Sequence, residues 1–261
     1  MAHVPFTEAL ANEYRRLFAE CEILPQRFDE VDRVVDRAVA EKARYEAVVA
    51  GLGIPWHFVA AVHSLESSQS FDDHLHNGDP LTARTVNVPA GRPPEGDPPF
   101  EWEESARDAL VFERLDRVEG WGLARELYQL EAYNGFGYRV HHPEVLSPYL
   151  WSFTNLYTRG KYLSDGRFSP TAVSKQCGAA AILRRLVERG EIDLGPEPPV
   201  AEPVFRFDAD AIVPEVFDLQ RFLNGFPGVA LRVDGKAGPK TSSLVERFFG
   251  HRLKGDPEAD E

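Results

Sequence analysis

The stretch PWHFVAAVHSLESSQSF, residues 55–71, decides how the chain is read. Its first dozen residues are mostly apolar on every side, and Pro55 has the fixed φ suited to a first helical turn. The pattern predicts a helix from Pro55 to about Ser67. One carboxylate, Glu66, stands at its far end, where the helix dipole disfavours negative charge and apolar neighbours withhold water. Both effects raise a carboxyl pKa. Position alone leaves two readings open. Glu66 is either a solvated helix-end glutamate or an acid kept protonated near neutrality, as proton donation to a glycosidic oxygen requires.

Upstream, over residues 8–51, apolar side chains recur at three- and four-residue spacing: Tyr14, Leu17, Phe18 and Cys21, then Phe28, Val31, Val34, Val35, Ala38 and Val39. This predicts two amphipathic helices with a break at Pro25. Downstream, Asn77-Gly78, Pro80, Pro89, Gly91, Pro93, Pro94, Gly96, Pro98 and Pro99 punctuate residues 71–99. That density predicts loop, with at most a short hairpin around 81–88. Helical spacing returns over 102–115, 121–132, 147–163 and 171–187. The expected fold class is mainly α, with one small hairpin or irregular excursion.

Residues 190–203, GEIDLGPEPPVAEP, are rich in proline and acid and lack periodicity, as a semi-extended linker would be. The expected organisation is a large domain over 1–189, a linker over 190–207, a small three-helix domain over 208–252 and an acidic tail over 253–261. In the small domain, helices are expected through 216–223 and 241–249, flanking turns at Asp234-Gly235 and Gly238-Pro239.

Composition narrows the function classes. The 261 residues are 43% hydrophobic and 27% charged, an ordinary globular balance. With 42 acidic against 29 basic residues the formal charge is −13, which repels nucleic-acid phosphates and anionic lipid. No apolar run approaches the length of a membrane span, and the opening MAHVPFTEALANEYRRLF lacks the basic and apolar regions of an export signal. Localisation therefore stays open. Cys21 and Cys177 are far apart and in no metal or redox spacing, so two inert thiols are expected.

Three segments, in order, resemble a known superfamily. AAVHSLESSQSF is similar to the catalytic-helix motif of goose-type lysozymes and bacterial lytic transglycosylases. EAYNGFGYR, residues 131–139, resembles their Ala-Tyr-Asn-x-Gly motif, with Gly135 here directly after Asn134. TNLYTRGKYL, residues 154–163, is similar to their aromatic-rich cleft helix. The block HLHNGDPLTARTVNVPAGRP, residues 74–93, resembles bacterial and phage lysozyme-like proteins. The likeness spans roughly residues 55–186 and implies a lysozyme-like α+β fold for the large domain. It further implies a muramidase cleaving the β-1,4 bond between N-acetylmuramic acid and N-acetylglucosamine, with Glu66 as general acid.

Carried over, the resemblance places Tyr133 and Asn134 in the glycan cleft and leaves Tyr157 and Tyr162 as alternatives for the cleft tyrosine. It also makes Asp79 a base for an attacking water, with Asp72, Asp73 and Asp97 as rivals. An inverting pair must leave room for that water. The alternative is that Asp79 caps its own turn before Pro80; a lytic transglycosylase giving anhydro-muramic products would then remain, since it needs one acid only. His76 and Asn77 are candidate substrate contacts in the same loop. His63, His74 and His76 lack a helical zinc signature, so neither metal nor cofactor is expected. Trp56, Trp102, Trp121, Trp151, Tyr138 and Tyr149 read first as core and otherwise as platforms for sugars. Arg84 and Arg92 are either solvated or able to meet muropeptide carboxylates.

VFDLQRFLNGFPGVALRVDGKAGPKTSSLVERFFG, residues 216–250, resembles the peptidoglycan-binding domain 1 family through Leu219-Gln220, Leu223-Asn224, Val233-Asp234-Gly235, Gly238-Pro239-Lys240-Thr241, Val245 and Phe248. The family's closing Phe-Gln is absent, and FPGVA lengthens the first loop. The expected partner is the peptidoglycan glycan strand, met by a monomer; a non-catalytic wall-binding protein is the alternative from another class.

Overall fold

A computed structural model describes residues 4–164, 166–195 and 205–258. The chain divides into two compact units, Met1–Glu197 and Pro198–Glu261. The fold is mainly helical, with eleven α-helices and one two-stranded antiparallel hairpin among the described residues. None of these helices is long and apolar enough to cross a membrane.

In the first unit, α1 (Glu8–Glu20), α2 (Phe28–Ala40) and α3 (Lys42–Val49) precede the central α4 (Trp56–Ser67). Every residue of α4 from His57 to Leu65 is buried. Its lack of a polar face is satisfied by α3, α6, α9 and α2 packing around it. Next come α5 (Trp102–Phe112), α6 (Leu123–Asn134), the short α7 (Gly137–His141) and α8 (Pro148–Trp151), and finally α9 (Ala179–Glu188). Thr7 caps α1, its hydroxyl accepting from the Leu10 amide at 3.2 Å. Pro25 occupies a short 3₁₀ turn before α2.

Three sequence expectations are corrected here. The hairpin is β1 (Lys161–Ser164) with β2 (Arg167–Ser169), not residues 81–88; Tyr162 lies opposite Phe168 and Lys161 opposite Ser169. Gly166, at φ +69°, supplies the left-handed turn residue. The 71–99 loop instead spends its hydrogen bonds on turns and side chains, its prolines having removed the donors a ladder needs.

Second, no helix spans 147–163: α8 stops at Trp151, and Phe153 turns the chain at φ +69°. Gly178 shows what displaced the helix. A Cβ there would stand 2.4 Å from the Leu150 carbonyl oxygen, so the start of α9 crosses directly over α8. Residues 171–178 are accordingly irregular, and α9 begins only at Ala179.

Third, the small unit has two helices among its described residues, α10 (Pro214–Leu223) and α11 (Pro239–Phe249), rather than three. Gln220 takes the place of further secondary structure. Its amide donates to Asp234 Oδ1 at 2.9 Å and to the Lys236 carbonyl at 3.0 Å, and accepts from the Asp234 and Gly235 amides, each at 2.8 Å. Gly235, at φ +73°, packs so tightly that a Cβ would lie 2.4 Å from the Phe217 ring. Neither neighbouring segment is loose. Phe207 donates its amide to the Lys254 carbonyl at 3.0 Å, and Leu253 is 5% exposed in a core with Val216, Leu223, Ala237 and Val245. Asp256 pairs with Arg252 at 3.2 Å, so residues 253–258 belong to the unit rather than to an acidic tail. At the other side of the expected linker, Ile192 and Leu194 pack on the first unit's core. Residues 196–204 of that linker lie outside the described residues.

Candidate functional site

The site is built where α4 ends. Ser68 (φ +55°) and Gln69 (φ +63°) are two consecutive left-handed residues, which stop the helix directly after Glu66 and Ser67. Side-chain amides hold that turn: Gln69 Nε2 donates to the Val34 carbonyl at 3.0 Å, and Gln176 Nε2 donates to the Leu65 carbonyl. His63 braces it from within. The Ser70 carbonyl, 2.9 Å from Nε2, requires the proton there, leaving Nδ1 to accept from the Tyr45 hydroxyl at 3.0 Å. Burial lowers the His63 pKa to about 4, so the ring is neutral.

Glu66 stands at this helix end. The Tyr149 hydroxyl, on α8, donates to its Oε1 at 2.9 Å. Burial raises the Glu66 carboxyl above the ordinary glutamate range, and this outweighs the opposing effect of the Tyr149 bond. Tyr133, next to last in α6, donates to the Leu75 carbonyl at 3.1 Å. Its hydroxyl is pushed up by burial and then by the charges of Glu66 and Glu113, so both carboxylates lie within electrostatic reach of it. Glu113 caps the end of α5, and partial burial raises its carboxyl too. Gly78 completes the surround, since a Cβ there would stand 3.2 Å from the Glu66 carbonyl oxygen. The end of α6 is anchored by buried Glu131, which accepts from the Tyr14 hydroxyl and from Arg139 at 2.9 Å; Arg139 reaches on to Glu13 at 2.9 Å.

The structure thus brings Tyr133 within electrostatic reach of Glu66 and gives the other sequence candidates partners of their own. Asp79 is nearly buried at the centre of its loop. Its Oδ2 accepts from the Val86 and Asn87 amides at 2.8 and 2.9 Å and from Asn77 Nδ2 at 3.1 Å, while Oδ1 accepts from Asn87 Nδ2 at 2.6 Å. Burial alone would raise this carboxyl, but the donors outweigh it and hold it below the ordinary aspartate range. This is the turn-capping alternative, and it consumes most of the acceptor capacity a base needs.

Asn77 also serves the loop, accepting the Asp79 amide at 3.0 Å. His76 is buried, with Nε2 2.9 Å from Asp108, which Arg92 also grips. Arg84 donates inward to the Pro93 and Gly96 carbonyls. Neither arginine of this loop is a solvated cation. Tyr157 is buried, donating to the Gly160 carbonyl and accepting the Ser174 amide, each at 3.1 Å, so its hydroxyl supports the chain. Asn134 instead lines a separate pocket of about 430 Å³ with Tyr138, His141 and Tyr162.

Tyr149 and Glu113 are the residues the sequence reading missed in this role. Tyr149 lies 83 positions from its partner, in a segment whose spacing marks it only as half-buried. Both cysteines are free and buried, and burial pushes the Cys21 thiol to about 11 and the Cys177 thiol to about 12. Among the described residues, no group of three or more His, Cys, Asp or Glu side chains is arranged to hold a metal ion. Comparison with protein-family models, curated proteins and solved structures gives no match.

Proposed function

We propose that the first unit is a glycosidase that cleaves the β-1,4 linkage between N-acetylmuramic acid and N-acetylglucosamine, with Glu66 as proton donor. The observation that carries this reading is the state of Glu66, a carboxyl whose pKa burial raises at the end of an apolar helix, oriented by one tyrosine hydroxyl. Such an acid keeps its proton to higher pH and delivers it to the leaving sugar oxygen as the C1–O bond breaks. Tyr149 fixes the orientation of the carboxyl. The sequence likeness of residues 60–71, 131–139 and 154–163 supplies the substrate class.

A second reading, a lytic transglycosylase, is favoured by the occupied state of Asp79. On this reading, with Asp79 taken up by its loop, the sugar's own C6 hydroxyl attacks C1, and Glu66, ionised by its proton donation to the leaving oxygen, takes the hydroxyl proton. The product is a 1,6-anhydro sugar. Mass analysis of digests separates the two, because a reducing muramic end carries one water more than an anhydro end. Absence of both from cell walls incubated with the full chain would refute the enzyme class and leave a binding protein.

The second unit is proposed as a cell-wall-binding module on the sequence likeness of residues 216–250. A fragment spanning Pro198–Glu261 retains Phe205, Phe207 and Leu253 and is the form to test. It should co-sediment with purified sacculi above the level of an unrelated protein of similar charge.

A further inference from the structure

A pocket of about 220 Å³ lies behind the end of α4, separate from the Glu66–Tyr149 contact. Ser64 opens onto it. Being two positions before Glu66, Ser64 projects about 200° around the helix from it. Ser68 and Gln69, the left-handed pair after Glu66, line the same pocket, as does Gln176. The turn that places Glu66 is therefore one wall of this cavity.

Three exposed cations line it: Arg33 and Arg37, one turn apart on α2, and Lys175 from the segment before α9. Among the described residues, none of the three takes part in an ion pair. The one acidic lining residue, Glu30, is tied to Arg27. Two guanidinium forks, an ammonium and serine hydroxyls around a small concavity form a receptor for a carboxylate rather than for an apolar or cationic group.

We propose that this pocket binds the free carboxylates of the peptide stems attached to the glycan strand. This rests on the reading of Glu66 as acting on peptidoglycan. The reach is sufficient, because a helix is about 10 Å across and an extended four-residue peptide spans about 13 Å. A stem leaving a sugar at Glu66 can pass around the end of α4 into the pocket. Occupation would press on the turn between Ser67 and Ser70, so peptide-bearing substrate is held by groups that also position the acid.

The test uses the full chain and calorimetric titration with the tetrapeptide L-Ala-γ-D-Glu-L-Lys-D-Ala. Its carboxyl-amidated form and inorganic phosphate serve as controls. The free acid should bind, and the amide should bind at least about tenfold more weakly. Arg37→Ala and Lys175→Ala should each weaken binding of the free acid by about tenfold, with folding checked by circular dichroism. Equal binding by the variants, equal binding of the amide, phosphate binding as tight as the peptide, or no binding at all would overturn the pocket. Cleavage of peptide-stripped glycan strands by the wild-type chain is measured alongside. Failure there, with the carboxylate-dependent titration intact, overturns the glycosidase reading while supporting the pocket. Cleavage without peptide binding does the reverse.

Discussion

Glu66 and Asp79 are carboxylates thirteen residues apart in the same unit, and their surroundings drive them in opposite directions. Glu66 has one donor, the Tyr149 hydroxyl, and burial wins, so its carboxyl is raised. Asp79 has four, two of them backbone amides, and the donors win. Residue type and rough burial do not separate an acid from a structural anchor; the number of donors aimed at the oxygens does. The end of α4 therefore favours the neutral form of its carboxyl, whereas in the 74–93 loop a carboxylate organises backbone.

That contrast is sharpened by exchanging each carboxylate for its amide. The largest effect belongs to Glu66→Gln. Cell-wall cleavage should fall by about 10²–10⁴-fold, the usual contribution of general acid catalysis, because the amide has no transferable proton. Folding should survive, since burial disfavours the charged form of this carboxyl and the amide keeps its size. A group whose pKa is raised by folding is stabilising while protonated and loses that advantage as pH rises through its folded value. The variant should thus melt at or above the wild-type temperature at pH 8 and close to it at pH 4.5.

Asp79→Asn should do the opposite, costing about 2 kcal/mol of stability because the charge-assisted bonds to Val86 and Asn87 are lost. The rate per folded molecule should stay within a few fold. Urea titration at pH 7 with activity normalised to folded protein reads both quantities. A stable Asp79→Asn chain that is catalytically dead would restore Asp79 as the base and erase the difference between the two regions.

His63 extends the comparison to pH. Folding lowers its pKa from the ordinary 6.5 to about 4, through burial. Stability from such a group is complete above pH 6.5 and is lost as pH falls towards 4, an effect of about 3 kcal/mol at its limit. Chemical unfolding at pH 7, 5.5 and 4 should reveal this loss. Replacement by Gln, which cannot titrate, should flatten that part of the profile whatever it does to absolute stability.

How far the site was legible follows from the range of each interaction. The apolar run of α4 and the place of Glu66 were readable because both are local: nine consecutive residues without a polar face, then a carboxylate. The large-to-small division was readable from the proline-rich composition of 190–203, although packed residues such as Leu194 and Phe205 intrude from both sides. The Tyr149 contact was not readable, since nothing in SPYLW marks which hydroxyl will cross 83 positions to a glutamate. Tyr157, equally aromatic and nearer the similar motif, turned out to serve Gly160 and Ser174. The hairpin was misplaced for a related reason. Residues 81–88 alternate acceptably, but Asp79 and Arg84 draw the surrounding backbone into side-chain bonds, while 161–169 obtains its register from Tyr162 facing Phe168.

The smallest effect tests the contrast most directly, because it changes the donor count at Glu66 from one to none. Tyr149→Phe removes a hydroxyl and leaves the ring. The hydroxyl lowers the Glu66 pKa against the larger effect of burial, so its loss should raise that pKa further. Activity that requires protonated Glu66 falls as pH rises through this value, and the alkaline limb of the pH profile should therefore move upward in Tyr149→Phe. One neutral hydrogen bond is worth about 1 kcal/mol, which corresponds to a displacement of somewhat less than one pH unit. At the acidic plateau the rate should drop only a few fold, reflecting poorer orientation of the carboxyl. A limb that moved downward would mean that the hydroxyl stabilises the protonated acid, and Tyr149 would then be holding the proton on Glu66 instead of helping it leave.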